Sequence, residues 1–428
     1  MALFAHKGIR WWMISLLMLG AIINYLTRST LAVAAPTLLG ELHISPKEYS
    51  WILNTFQGAL MMQPLCGFVM DTIGLKLAML IFALTWSLVS MAHGLVSGWP
   101  ALAGLRGMLG LVEGSANPAG MKATAEWFPA KERGFAGGLY NIGASVGSML
   151  APPLVGFAIL HYNWKMAFVF TGALGLVWAV LWWLFYHPLN RHPSLAAEER
   201  AYITAGQEAH LQSDGRRPSI ASILGRRNFW GIALPRFLAD PTWSTLTFWL
   251  PLYLTQVRNF NLKEIALTAW LPFLAADLGC LFGGVLVAFF QREGVGLINA
   301  RRGAFTCGAV MMTGMAFVGF VQSPYAALAL LCLGGFAHQT LSVTVITMSS
   351  DLFKRNEVGT VAGLAGTCGN GGIVVFNTLI GGLVAVIGYT PFFIGLAVLD
   401  IVGAVILWTV VRDPRTAAPA PSPTGLTA

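Results

Sequence analysis

Arg106 and Glu113 stand seven positions apart in WPALAGLRGMLGLVEGSANPAG, with only Gly, Met, Leu and Val between them. On a helix that spacing puts both on one face, two turns or about 10.5 Å from each other. They are too far apart to pair along the helix, so each is left for another partner. Arg28 is a second isolated cation, with Tyr25 one turn before it in NYLTRSTLAV. A planar guanidinium holds a carboxylate through two parallel hydrogen bonds. Arg28 and Arg106 are therefore candidates for an anion site, unless structural acids or carbonyls neutralise them. Glu113 can carry a proton. Burial favours its neutral form and a neighbouring arginine favours its charged one. An anion arriving at the arginines would weaken their support for ionised Glu113, which would then take up a proton.

The second half has its own polar set. His338 is the only one of eight histidines near the centre of an apolar run. Asp277, in AADLG, has no obvious partner and is a candidate proton carrier; it and His338 are alternatives for a second proton site. Arg236 and Asp240 are spaced to pair as i,i+4. His338, Gln339 and Asn370 are candidate partners for ligand hydroxyls, although TCGNGG around Asn370 suits a packing or kink site equally well. Asp400 reads as structural. Trp243 and Trp249 read as packing or interface residues ahead of ligand-stacking ones. The five cysteines fall in apolar runs without metal-ligand spacing, so no metal or cofactor is expected. The chain has no G-x-x-x-x-G-K-[ST] loop, H-E-x-x-H or G-x-S-x-G, which disfavours a nucleotide-driven pump and an intramembrane enzyme.

The 428 residues that must position these groups are 56% hydrophobic and 10% charged. Soluble domains carry about 25% charged residues. Apolar runs of roughly 20 residues recur, each long enough to cross a ~30 Å hydrocarbon core. The chain reads as an all-α, multi-pass membrane protein. A charge at the bilayer centre costs about 2.5–3.5 kcal/mol, so the buried charges are expected to turn inward. The first run has a basic start and a faint AVAAP site, but Arg28 lies between the two and the run is too long. It reads as a retained helix rather than a cleaved leader.

Twelve spans follow, at 11–33, 49–70, 77–96, 99–121, 135–160, 165–186, 229–256, 265–290, 303–321, 325–349, 359–387 and 389–411. Arg28, Arg106 and Arg236 fall within spans. Lys47, Lys165, Arg258 and Lys263 fall on one side, and the other Lys and Arg lie on the opposite side with both termini. Positive-inside bias then places both termini in the cytoplasm. The net charge of +8 reflects this bias and calls for no nucleic-acid partner.

The polar segment 187–227 divides two halves. Residues 1–186 form one six-helix bundle and 228–412 another; LAAEERAYITAGQEAHL suits a surface helix, and 413–428 reads as a disordered tail. The halves echo each other at an offset of 225. Glu126, Phe128, Glu132, Gly134 and Gly138 superimpose on Asp351, Phe353, Glu357, Gly359 and Gly363. Glu113 falls on His338. Paired bundles of this kind are a transporter architecture with its site between them near mid-membrane.

GFVMDTIGLK, at 67–76, joins spans two and three. Gly67 and Gly74 permit close helix approach, while Asp71 and Lys76 can pair across a helix end. The second-half counterpart, GGVLVAFFQREG, lacks the acid. The loop fits the G-x-x-x-D-x-x-G-x-[RK] pattern of the major facilitator superfamily. R-x-x-x-G-x-x-E of span four, NIGASVGSMLAPPLVG of span five and EWFPAKER resemble its anion:cation symporter branch. From YLTRSTLAVAAPTL to GGFAHQTLSVTVITMSSDLF the chain is most similar to that branch's bacterial hexuronate transporters.

The resemblance implies two pseudo-symmetric six-helix bundles in a major facilitator fold. It implies proton-coupled import of a sugar-acid anion, galacturonate or glucuronate, across the bacterial inner membrane. Substrate would meet Tyr25, Arg28 and Arg106 with His338, Gln339 and Asn370; protons would use Glu113 and Asp277. Asp71, Lys76, Arg236 and Asp240 would gate or brace. The expected partners are the anion, H+ and lipid, and the expected state is a monomer. Two departures stand out: relatives for sugar acids carry an acid where Thr27 stands, and several carry a span-two tyrosine where this chain has QGALMMQ. An aldonate, aldarate or aromatic acid is the alternative substrate, and a non-translocating sensor the alternative function.

Overall fold

Backbone in hydrocarbon must satisfy its own hydrogen bonds, which leaves an apolar chain helices or a closed barrel. This computed structural model describes residues 8–129, 132–205, 220–353 and 357–413, and every regular element among them is helical. Eight helices are long and apolar enough to cross a membrane: spans one, three, five, six, eight, ten, eleven and twelve. The other four are broken into shorter pieces. Span two runs Pro46–Leu60 and Gln63–Ile73, and span four runs Trp99–Glu113 and Ala116–Trp127. Span seven runs Arg227–Ser244 and Leu250–Gln256 around a π turn at Thr245–Trp249. Span nine is Leu297–Met312 followed by a 3-10 stretch, Thr313–Gly319. The hydropathy pattern alone does not show these interruptions, because the chain is apolar on both sides of each break.

The two halves repeat in three dimensions. Span one packs on five, two on four and three on six; seven packs on eleven, eight on ten and nine on twelve. Spans two and eight start with the same device. Ser45 and Glu48 form a capping box at one, Asn261 and Glu264 at the other. The superimposed acids Glu132 and Glu357 also do matching work. Arg10 Nε lies 3.0 Å from Glu132 Oε2, and Arg226 grips Glu357 through two bonds of 2.7 and 2.8 Å.

The central segment is tied to the first half. Its helix Ala197–Ala205 presents Glu199, whose carboxylate accepts from the backbone N–H of Gly8 and Ile9 at 2.8 and 3.2 Å. An acid placed so caps the free donors of span one and favours its helix dipole. The rest of the expected surface helix, and the tail beyond Asp413, lie outside the described residues.

Glycines let the paired spans touch backbone to backbone. A Cβ on Gly143 would lie 2.7 Å from the carbonyl oxygen of Met18, and one on Gly147 would run into that of Ile22. Gly372 meets the carbonyl of Phe237 in the same way. Gly147→Ala is expected to lower the thermal unfolding midpoint in detergent, at a cost of about 1–3 kcal/mol for overpacking. Gly137→Ala, where a Cβ meets open space, should leave it unchanged. Equal midpoints would show that spans one and five do not pack this closely.

The bundles meet from mid-depth to one end. One apolar core joins both halves near the face where span one ends, with Tyr49, Leu53, Val155, Trp249 and Val384 among its members. Toward the face where span one begins, the core divides into two, one for each bundle. Two equivalent seams close the far end. Spans two and eleven meet there, with Asn54 Nδ2 2.8 Å from Thr378 Oγ1 and Gly381 against Ser50. Spans five and eight meet with Gly156 against Ala266. The space between the bundles therefore opens toward the face where the chain enters span one.

Candidate functional site

Glu113 is the last residue of the upper piece of span four, and the Gly114–Ser115 break follows it. Its side chain is fully buried and reaches span one. Oε1 accepts from Thr27 Oγ1 at 2.8 Å, and Oε2 lies 3.4 Å from Arg28 Nε. Thr27 has alternatives within the same reach, the carbonyls of Asn24 and Ile23 at 2.8 and 3.2 Å. A hydroxyl gives one hydrogen and accepts others. Thr27 can donate to a carboxylate, or turn to Asn24 and accept from a protonated Glu113. Thr27 thus serves both states of the acid.

Arg28 is held flat rather than pinned. Its guanidinium lies 4.5 Å from the Tyr25 ring centre and 5.3 Å from that of Phe56, with Nη2 3.4 Å from Asn24 Oδ1. Arg106 lies 5.4 Å from the same Phe56 ring. Aromatic faces attract cations at such distances, so one ring steadies two like charges. Arg106 is buried, and Nη2 donates to the Arg28 carbonyl at 3.1 Å. Its Nε and Nη1 have no partner among the described residues. Arg106 and Glu113 do not pair with each other; both turn to Arg28. Two arginines and one acid leave a surplus positive charge here, with spare donors.

The second bundle supplies a different surface. His338 is buried, stacked at 5.9 Å on Trp243, whose edge meets Phe273 at 5.5 Å. His338 Nδ1 has no partner among the described residues. Arg236 Nη2 lies 3.2 Å from Asp240 Oδ2, and the Asp240 carboxylate presses on Gly369 of span eleven. Asn370 Oδ1 accepts from Gln57 Nε2 of span two at 3.1 Å, across the seam between the bundles. Gln339 is partly buried beside His338. Trp249 is buried and donates to Asn377 Oδ1 at 3.0 Å, which makes it a packing residue.

The structure thus brings Tyr25, Arg28, Arg106 and Glu113 together, and places Asn370 and His338 in the facing bundle. Asp277 stands apart on the seam of spans five and eight. Asp400 is buried in span twelve, and neither carboxyl oxygen has a partner among the described residues. Lys76 Nζ lies 5.0 Å from the Trp183 ring; the Asp71 side chain lies outside the described residues. Sequence reading passed over Phe56, Asn24 and Gln57. Gln57 had one usable signal, an amide isolated in an apolar run; Phe56 had none.

The model of the Major Facilitator Superfamily matches residues 17–299 and 295–427. The chain belongs to this superfamily. Within it, the chain is 48% identical over 410 residues to the hexuronate transporter of Escherichia coli (strain K12), covering 95% of each. It is 48% identical over 330 residues to the galacturonate transporter of Dickeya chrysanthemi, covering 76% of this chain and 96% of that one. Among solved superfamily folds, it resembles a bacterial homologue of the human lysosomal transporter Spinster in an inward-facing, unoccupied conformation. That match has a TM-score of 0.73 at 17% identity, covering 95% of this chain and 96% of that one.

Proposed function

We propose that the protein imports a hexuronate anion, galacturonate or glucuronate, together with protons across the bacterial inner membrane by alternating access. Arg106 carries the reading. A buried guanidinium with two donors unpaired among the described residues, beside a second arginine stacked on aromatic rings, suits a carboxylate ligand. Buried charges require partners. The relatives named for hexuronate and galacturonate indicate which anion it is.

The substrate carboxylate takes the free donors of Arg106 and the outer edge of Arg28. Arg28 then supports ionised Glu113 less, and Glu113 takes a proton while Thr27 turns to accept its new hydroxyl hydrogen. Sugar hydroxyls engage the Gln57–Asn370 pair, replacing a bond between the bundles with bonds to the ligand. Positive-inside bias makes the open face cytoplasmic. The protein acts as a monomer, since each chain holds a whole site.

The test is competition for uptake of labelled galacturonate into vesicles. Glucuronate should compete at concentrations similar to unlabelled galacturonate, whereas galactose and glucose should not compete at a hundredfold excess. Neutral sugars competing as well as the acids would overturn the carboxylate reading.

A further inference from the structure

Asp277 has a place in the fold that the site around Glu113 does not explain. It lies midway along span eight, which comprises Leu262–Thr268 and Leu271–Arg292. It is only partly buried, and its carboxyl faces the hydroxyl of Ser145 on span five, in the other bundle. Among the described residues no cation pairs with it. Cys280 lies a turn further along the same helix. From span ten, the groups packed on this stretch of span eight are Phe336 and Thr340, which carry no charge.

The seam containing Asp277 and Ser145 changes character along its length. Toward the far face it is shut, with a Cβ on Gly156 only 2.7 Å from that of Ala266. Asp277 lies eleven residues beyond Ala266, roughly 16 Å along a helix, toward the open face. A carboxylate without a cation at mid-membrane is costly. A group on this seam nevertheless meets water in each state in which the seam opens. Ser145 suits both forms, donating to the carboxylate and accepting from the acid.

We propose that Asp277 is a second proton site, loaded and discharged as the seam of spans five and eight opens to alternate sides, so that two protons accompany each anion. This rests on the reading of Glu113 as the first. The charges then balance. In the empty carrier Arg28 and Arg106 are offset by ionised Glu113 and Asp277, and the four sum to zero. In the loaded carrier both acids are neutral and the two arginines face one monoanion, leaving one positive charge. The membrane potential therefore acts on the loaded step and the empty carrier returns without charge. The proton on Asp277 comes from water on the side where substrate binds and leaves to water on the other; no bond is made or broken besides O–H.

The experiment uses the full chain in proteoliposomes, with labelled galacturonate and an internal pH dye to count protons per anion, and a potassium gradient with valinomycin to set the potential. The natural protein should move two protons per anion. An interior-negative potential should raise accumulation up to about 50-fold, one charge through 100 mV at about 2.3 kcal/mol. Asp277→Asn should move one proton, keep pH-driven uptake and ignore the potential. A ratio of one in the natural protein, or an unchanged potential response in Asp277→Asn, overturns the proposal. If Asp277→Asn does not transport, Asp277→Glu decides: it must move two protons, and a ratio of one overturns the proposal. Loss of counterflow exchange in both variants also overturns it, because Asp277 is then a packing residue. Failure of the Glu113 reading is seen separately, as a ratio of two protons per anion retained in Glu113→Gln.

Discussion

Glu113→Gln is expected to remove one proton's share of pH-driven accumulation while leaving counterflow exchange of labelled substrate measurable. The amide keeps the shape and the Thr27 contact of the carboxyl, which is 2.8 Å in the structure. It cannot lose or gain a proton, so it holds the site in its protonated form. One pH unit across the membrane is worth about 1.4 kcal/mol per proton, or tenfold accumulation. The tenfold share carried by Glu113 should be lost in the variant. Arg28 loses its counter-charge, but the rings of Tyr25 and Phe56 still flank it and the carboxylate of a bound substrate replaces the missing acid. Exchange should therefore survive. Uptake into vesicles with an acid exterior checks the first half and preloaded exchange the second. Undiminished accumulation by the variant would remove Glu113 from the proton path.

Arg28→Lys is expected to lower uptake at subsaturating substrate by about 30- to 150-fold, equivalent to about 2–3 kcal/mol. An ammonium keeps the charge but has no planar fork for a carboxylate, and it cannot lie flat between two rings. Both properties are used here, since the Arg28 guanidinium stacks on Tyr25 at 4.5 Å and reaches Glu113 at 3.4 Å through one edge. Initial rates against concentration, on protein shown to be intact by size-exclusion, provide the check. Wild-type affinity in the lysine variant would take Arg28 out of the site.

The twelve spans and the charged residues that cluster in the first half were legible because they depend on local facts. An apolar run long enough to cross is visible in any window, and an arginine within it is conspicuous. The repeat was also legible at its acids, and Glu132 and Glu357 indeed hold matching arginines, Arg10 and Arg226. What remained hidden depends on distance along the chain. Gln57 finds Asn370 at a separation of 313 residues, across bundles that no periodicity relates. Phe56 looks like any other apolar residue until two guanidiniums are seen against it. The break at Gly114–Ser115 has a local cause, since a Gly/Ser pair weakens a helix, and the turn at Met61–Met62 is followed by Pro64 in the first turn of the next helix. The pairing of Glu113 with His338 was half informative. Both turn toward the first helix of their own half, yet one meets Thr27 and Arg28 while the other stacks on Trp243.

The close contacts of Gly143 and Gly147 with span one, and of Gly372 with span seven, bear on how force moves through the molecule. Ordinary packed helices are separated by side chains, and a push on one can be absorbed by rotamers before it reaches the other. Where carbonyls rest on Cα atoms there is no such slack. Span one carries Arg28, and its partner, span five, forms one seam; span seven carries Arg236 and Asp240, and its partner, span eleven, forms the other. Each half therefore has a stiff two-helix lever with a charged handle at mid-depth and the gate at its far end. A displacement of a few tenths of an ångström at the handle arrives at the gate undamped.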